Sequence, residues 1–496
     1  MKKRKLVLWV VLIAMLISIA GCGKKADTKD DNTKDVASET DDSKGTEKDN
    51  GNEQIPTLIW NTVGNGMPTN YDKWQAHINE YLEEKIGVHV DVHVIPWGEW
   101  DDKKSLIVNS GEYFDILFTN EGRYNAEVKL GTFMDITDLL QTEAPDLYNY
   151  IPEDYWKAVS IDGKIYSVPT YKDSSATQYL VWDTAMVEKY DIDIQNLKSL
   201  EQLTEPFRKI RDGENVAPFK LYKNGLDYVY VNYDSMQAGL PALGVRFDDE
   251  NMKVVNTLEQ EDVLERLNIL HQWYEEGIIN ADAPALDEQS GYRVAFIAQG
   301  WPSAAKTTWG PNTGIDAEAV QLYDTIVSNT TVGGSLNGIY SGTKYPEKCI
   351  QLLDLINKDS YVRDAFYYGL EGDNFEYTSD GKVHKNNSDW NMAGYTQGTF
   401  FNVTQEDIAE FNQWDEVKEL NANAIPSTLI GFSLDSTNIE NELAECRAVY
   451  LKYRSELTTG AKEPSEIIKN INDELDAAGF QKILDEAQKQ VDAFKK

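Results

Sequence analysis

Cysteine is nearly missing from this chain: there are 3 in 496 residues, at positions 22, 349 and 446. That excludes a disulfide framework, and the apolar, helix-like settings of Cys349 (CIQLLDLI) and Cys446 (ELAECRAVYLKY) read both as buried free thiols. Histidine is scarce as well, at 5 residues, and no Cys and His cluster forms. The G-x-S-x-G nucleophile turn, the G-x-x-x-x-G-K-[ST] phosphate loop and the D-x-[DN]-x-[DN]-G calcium loop are all absent. His89, Asp91 and His93 share one face of VHVDVHV, but Val88, Val90, Val92 and Val94 fill the other. The polar triplet therefore reads as the outer face of a half-buried strand rather than a metal site. No cofactor, no metal and no catalytic residue is expected. Positive charge is also short, with 47 Lys and Arg against 83 Asp and Glu, a net −36. Such a field repels phosphate backbones and anionic headgroups, excluding nucleic acid as a partner and disfavouring acidic ligands. No apolar run is long enough to span a bilayer: Leu6 to Ala20 falls short of the ~20 residues required.

That run follows the basic start Met1-Lys-Lys-Arg-Lys5, the order of a secretory signal, placed at 1–21. The border Ile19-Ala20-Gly21-Cys22 resembles the lipobox of bacterial lipoproteins. The resemblance implies cleavage before Cys22 and acyl chains, palmitate among them, on that cysteine. Two or more chains hold a protein on a membrane where one binds only marginally. Residues 22–55 are Lys, Asp, Glu, Thr, Ser, Asn and Gly with little to bury, a flexible polar linker. The expected location is the outer face of the cytoplasmic membrane, on the extracellular or periplasmic side, lipid-anchored at Cys22.

The body beyond Pro56 is too long for one simple core and divides into two lobes. Lobe 1 is placed at 56–180 with part of 331–400, and lobe 2 at 181–330 with part of 401–496. TLIW reads as a short strand, YDKWQAHINEYLEEKIG as a helix ended by Gly87, VHVDVHVIP as a period-two strand and YFDILFT as a buried strand. This β-α-β order implies a parallel sheet flanked by helices. SIDGKIYSVP reads as a hairpin turning at Asp162-Gly163. QYLVWD and the Gly-rich TVGGSLNGIY are read as strands crossing between lobes, with Gly333, Gly334 and Gly338 as the hinge. Helices dominate after Pro346.

The stretches NSGEYFDILFTNEG (109–122), GTFMDITDLL (131–140), DGKIYSVPTYKDSS (162–175), WYEEGIINAD (273–282) and LLDLINKDSYVRDAFYYGLEGDNFEY (352–377), with the ending from LTTGAKEP (457) onward, resemble the sugar-handling extracellular solute-binding proteins of bacterial ATP-driven importers. The chain looks like a sub-branch with an additional C-terminal region of unknown function. The resemblance implies an α/β, two-lobe periplasmic-binding-protein-like (Venus-flytrap) fold with crossing hinge strands and a helical C-terminal region. It also implies a carbohydrate ligand, ABC permease partners, a monomer, and binding without turnover.

In open α/β sheets ligands sit beyond the carboxyl ends of strands. That rule nominates Trp60 and Asn61 after TLIW, Asn120 and Glu121 after FDILF, Tyr171 and Asp173 after IYSVPT, and Trp301 and Trp309 after VAFIAQG. Aromatic planes beside amides and carboxylates suit a sugar, which offers C–H faces and a rim of hydroxyls. Two alternatives stand beside the oligosaccharide receptor: a receptor for a peptide or other small solute, and a surface-attached glycan hydrolase whose carboxylate pair lies among the many Asp and Glu.

Overall fold

The computed structural model describes residues 55–288 and 291–495. The signal, Cys22 and nearly all of the polar linker lie outside the described residues. Two hydrophobic cores divide the body. One is built from residues between Leu58 and Tyr171 together with Val327 to Met392. The other joins Leu180 to Leu322 with Leu429 to Val491.

Lobe 1 rests on five strands. Three are parallel, with Thr57–Gly64 in the middle of His89–Pro96 and Ile116–Thr119. The next is Leu336–Ile339, antiparallel, and beyond it Ser167–Pro169. Register sets where the chain leaves the lobe. Leu336 lies opposite Thr119 on one side and Pro169 on the other, so the chain exits lobe 1 at Pro169 and returns at Leu336 along the same sheet edge. Gly64, Pro96 and Thr119 also end there. The helix Tyr71–Ile86 buries Trp74, Ile78 and Leu82 at helical spacing and stops at Gly87, whose φ of 64° suits glycine. Asp162 (φ 52°) and Gly163 (φ 76°) make the tight turn of the hairpin Ser160–Ile161 and Lys164–Ile165. His93 faces Asp91 and His89 faces Glu83, so the polar strand face is spent on local pairs.

The expected crossings are displaced by one element. QYLVWD is the central strand of a lobe 2 sheet, flanked by Ala295–Gln299 and Ala317–Gln321. LNGI, within TVGGSLNGIY, is the antiparallel strand of lobe 1. The chain crosses at 170–177 and 322–328, and a third time at 423–428. Ala176 and Ile326 exchange backbone bonds (2.8 and 3.0 Å), while Ile425 N–H and Ser427 N–H donate to the carbonyls of Thr325 and Val327 (2.8 Å each). Gly338 is not a hinge. A Cβ there would meet Phe133 Cδ1 at 2.3 Å, so this glycine permits a ring to lie on the sheet.

Lobe 2 is centred on Trp182, Phe207, Phe219 and Trp273, whose rings approach to 5.2–5.6 Å. Trp273 Nε1 donates to Thr204 Oγ1 at 2.9 Å, which keeps the indole dry without an unmet donor. The C-terminal helices Glu440–Thr458, Pro464–Ala477 and Phe480–Phe494 close this core with Leu443, Tyr450, Ile471, Leu475, Ile483 and Val491. Fully burying an aliphatic side chain contributes ~1.5–3 kcal/mol, so these helices are part of lobe 2 rather than an appendage. Ile471→Ala is expected to lower the unfolding free energy by about 2–5 kcal/mol. Urea unfolding followed by tryptophan fluorescence measures it, and a loss under about 0.5 kcal/mol would mean the C-terminal region folds apart from lobe 2.

Candidate functional site

A cleft of about 720 Å³ opens along the seam of the two lobes, within the ~300–1,000 Å³ of small-molecule sites. Lobe 1 contributes Glu121, Thr330 and Thr331, and the crossing segments contribute Ala176, Ile326 and Ser328. Lobe 2 contributes an aromatic wall that includes Tyr222, Tyr228, Tyr233, Phe247 and Phe296, and Tyr323 joins it from the start of the second crossing.

Glu121 is the first residue of the helix Glu121–Lys129, which starts where the strand Ile116–Thr119 ends. Its N–H donates to Gly333 O at 2.7 Å. Behind it, Lys104 Nζ donates to Thr119 Oγ1 (2.7 Å), Thr119 Oγ1 donates to Glu127 Oε2 (2.6 Å), and Lys104 pairs with Glu127 Oε1 (2.7 Å). Burial pulls the Lys104 pKa down while Glu127 opposes it. Removing one member of such a closed pair strands a buried charge, so the triad fixes the strand end that presents Glu121.

Tyr233 and Asp234 come from the strand Tyr233–Ser235. The Tyr233 hydroxyl donates to Asp262 Oδ1 at 2.8 Å, and Arg246 Nη1 donates to Oδ2 of the same carboxylate at 3.0 Å, which holds the ring at the wall. Asp234 lines the cleft too and accepts from Ser427 Oγ at 2.6 Å, a contact between lobe 2 and the third crossing. Burial pushes its carboxyl up to about 6; Ser427 pulls it back and the charge of Glu121 adds to the rise. Burial raises Glu121 as well. The cleft thus places two carboxylates, one from each lobe, within electrostatic reach of each other.

Of the residues nominated from sequence, Glu121 lines the cleft. Asn120 is its neighbour, immediately ahead of the helix. Trp60 and Asn61 do not reach it, because the first strand continues to Gly64. Trp60 is 0% exposed against Phe366, and Asn61 lies opposite His93 in the sheet. Tyr171 is packed edge-on among Tyr150, Tyr155 and Phe401. Asp173 pairs with Lys172 on the first crossing, at 2.6 Å. Trp301 rests on Trp414. Trp309 rests on Tyr179 and is not among the residues that line the cleft. Strand alternation turns Leu180 and Trp182 into the lobe 2 core and Val181 to the other face, which it shares with Phe296 and Trp309.

The wall residues were missed, although the sequence marks them. YKNGLDYVYVNYD carries Tyr222, Tyr228, Tyr230 and Tyr233 without helix or strand periodicity. Tyrosines clustered in an aperiodic Gly, Asn and Asp stretch are a surface signal, since each needs a partner for its hydroxyl.

Residues 76–369 match the family model "Bacterial extracellular solute-binding protein". The chain belongs to that family. Residues 428–496 match a second model, "Domain of unknown function (DUF3502)". A carbohydrate ABC transporter substrate-binding protein of Streptococcus pneumoniae serotype 4 is 28% identical over 462 residues, 89% of this chain and 91% of that protein. The crystal structure of the N-glycan transport solute binding protein (NgtS) of S. pneumoniae superposes with a TM-score of 0.79 at 26% identity, covering 88% of this chain and 99% of that one. Its complex with Man5GlcNAc gives 0.67 at 27% identity, covering 88% and 98%. Among the described residues no helix is long and apolar enough to cross a membrane.

The sign of the Asp234 effect comes from its raised value. Between about pH 4 and 6 the native state binds more protons than the unfolded chain, so the stabilising contribution is present below pH 4 and is lost as pH rises through 6. Asp234→Asn removes that slope. Relative to wild type, the variant is expected to gain up to about 3 kcal/mol of stability at pH 7.5 compared with pH 4. Urea unfolding at both pH values measures the difference, and an equal effect at the two would contradict a raised Asp234.

Proposed function

We propose that this protein is the tethered receptor of an ABC importer, capturing an oligosaccharide between its lobes and passing it unchanged to a membrane permease. The observation that carries the reading is the cleft itself, where an aromatic wall from one lobe faces carboxylates from both. Tyrosine and phenylalanine rings offer flat apolar faces for sugar C–H groups, and Glu121 and Asp234 accept hydrogen bonds from hydroxyls. NgtS has been crystallised in complex with Man1GlcNAc and with Man5GlcNAc, which supports an N-glycan-like oligosaccharide as the ligand class. Lipidation at Cys22 keeps the receptor at the membrane that holds the permease.

Motion belongs to this reading. At the same 88% coverage of this chain, the TM-score is 0.79 against the NgtS structure described without a glycan and 0.70 and 0.67 against the two glycan complexes. That ordering supports an arrangement here nearer to the structure named without a glycan than to the two complexes. A ligand drives closure only through contacts made in the closed state, so affinity and closure are coupled.

The full chain is expected to become more compact by small-angle scattering with a cognate glycan, to melt at a higher temperature, and to release the glycan unaltered. Tyr228→Ala and Tyr323→Ala should each weaken binding about threefold to tenfold by calorimetry, since a stacked ring contributes ~0.5–1.5 kcal/mol beyond its area. A cleaved glycan would favour the hydrolase alternative, with Glu121 and Asp234 as its acids. Stabilisation by peptides and by no glycan would favour the peptide receptor.

A further inference from the structure

Arg293 differs from the other partly buried arginines of the body. Arg208 grips Glu276, Arg246 and Arg266 both reach Asp262, and Arg454 holds Asp227. Even the fully buried Arg363 donates to the carbonyls of Thr399 (2.6 Å) and Gly394 (2.5 Å). Arg293 lines the cleft, partly buried, with its guanidinium carbon 3.8 Å from the centroid of the Phe296 ring. Among the described residues no carboxylate or carbonyl receives its N–H groups. Burial alone acts on its pKa, and lowers it.

A guanidinium has five donors in one plane. Stacking on Phe296 occupies a face of that plane and leaves the edge donors aimed outward. Leaving a partly desolvated cation without an acceptor is costly, and in a chain of net charge −36 a carboxylate partner would be easy to supply. The arrangement has the form of a recognition fork held ready on a stacking floor. Two oxygens on one atom match such a fork best, because both N–H donors are then used at once.

We propose that Arg293 is the subsite for a sugar unit carrying a carboxylate, bound by the guanidinium edge beside Phe296. The proposal rests on the carbohydrate-receptor reading and names a chemical class within it. Lys220 lines the same cleft and adds positive charge. Glu121 and Asp234 repel a carboxylate, so they restrict the acidic unit to the Arg293 part of the cleft. The acidity of the whole chain does not forbid this, since charges more than about 8 Å away through solvent are screened at physiological ionic strength. A partly buried pair is screened much less.

The test uses matched oligosaccharide pairs of equal length and linkage, one ending in glucuronic acid and the other in glucose, titrated calorimetrically into the full chain. Wild type is expected to bind the acidic member at least tenfold more tightly. In Arg293→Gln the acid-to-neutral ratio should fall to about one, whatever happens to the affinity shared by both members. Arg293→Lys, which keeps the charge and loses the fork, should give a ratio in between. Thermal melting confirms that each variant is folded. Equal or preferred binding of the neutral member by wild type overturns the proposal and leaves the receptor reading standing, and so does an acid preference that survives in Arg293→Gln. If no member of any pair binds wild type, the receptor reading falls together with the proposal.

Discussion

Residue 326 is hydrogen-bonded on one side to residue 176, and its flanking carbonyls on the other side take the N–H groups of Ile425 and Ser427. This three-segment ladder is the constraint on which the rest of the body depends. Each lobe has its own core, so the crossings need not contribute much packing, and a handful of backbone bonds worth ~0.5–1.5 kcal/mol each suffices to keep them in register. A joint of that kind resists sliding, which would break bonds, more than bending, which need not. The sheet edge from which the crossings leave carries the carboxyl ends of the parallel strands, and this is why the cleft forms there and Glu121 is part of it.

Buried polar groups turn that joint into a defined geometry. The Lys104, Thr119 and Glu127 triad fixes the strand end on the lobe 1 side. Arg363 does the same for the segment from Gly394 to Thr399, and Phe400 N–H then reaches Tyr171 O, tying the path toward the third crossing to the first. Each contact satisfies groups that would be expensive to leave unmade, so each selects one backbone path over its neighbours. Hydrophobic burial supplies most of the stability of the lobes, whereas these polar contacts decide where the cleft residues point.

How much the sequence disclosed depends on the range over which each signal acts. The helix Tyr71–Ile86, its stop at Gly87, the valine face of the second strand and the Asp162-Gly163 turn depend on residues a few positions apart, and all are legible. The crossings depend on which sheet a strand joins. QYLVWD is as apolar in a central strand of lobe 2 as it would be in a connection, and no local feature separates the two. The nominated aromatics lie outside the cleft for a related reason. Trp60 and Tyr171 have the composition of a sugar site and the burial of a core, and only the continuation of the strand to Gly64 or the ring cluster around Tyr171 distinguishes these. Glu121 lines the cleft because it follows the end of a parallel strand, which is a topological position rather than a matter of composition.

The third crossing, which sequence patterns did not reveal, gives the cleft its link to the joint. Ser427 stands on that crossing and donates to Asp234, which faces Glu121 from the opposite lobe. Bringing the lobes together without a ligand moves two carboxylates into a drier space, where one must take a proton or the pair must stay apart. Hydroxyl donors placed between them change that balance, because each carboxylate then gains a hydrogen bond where it had lost water. On the proposed reading, the groups that would hold the ligand are the same ones that resist closure without it, so an empty receptor has an electrostatic reason to keep its lobes apart.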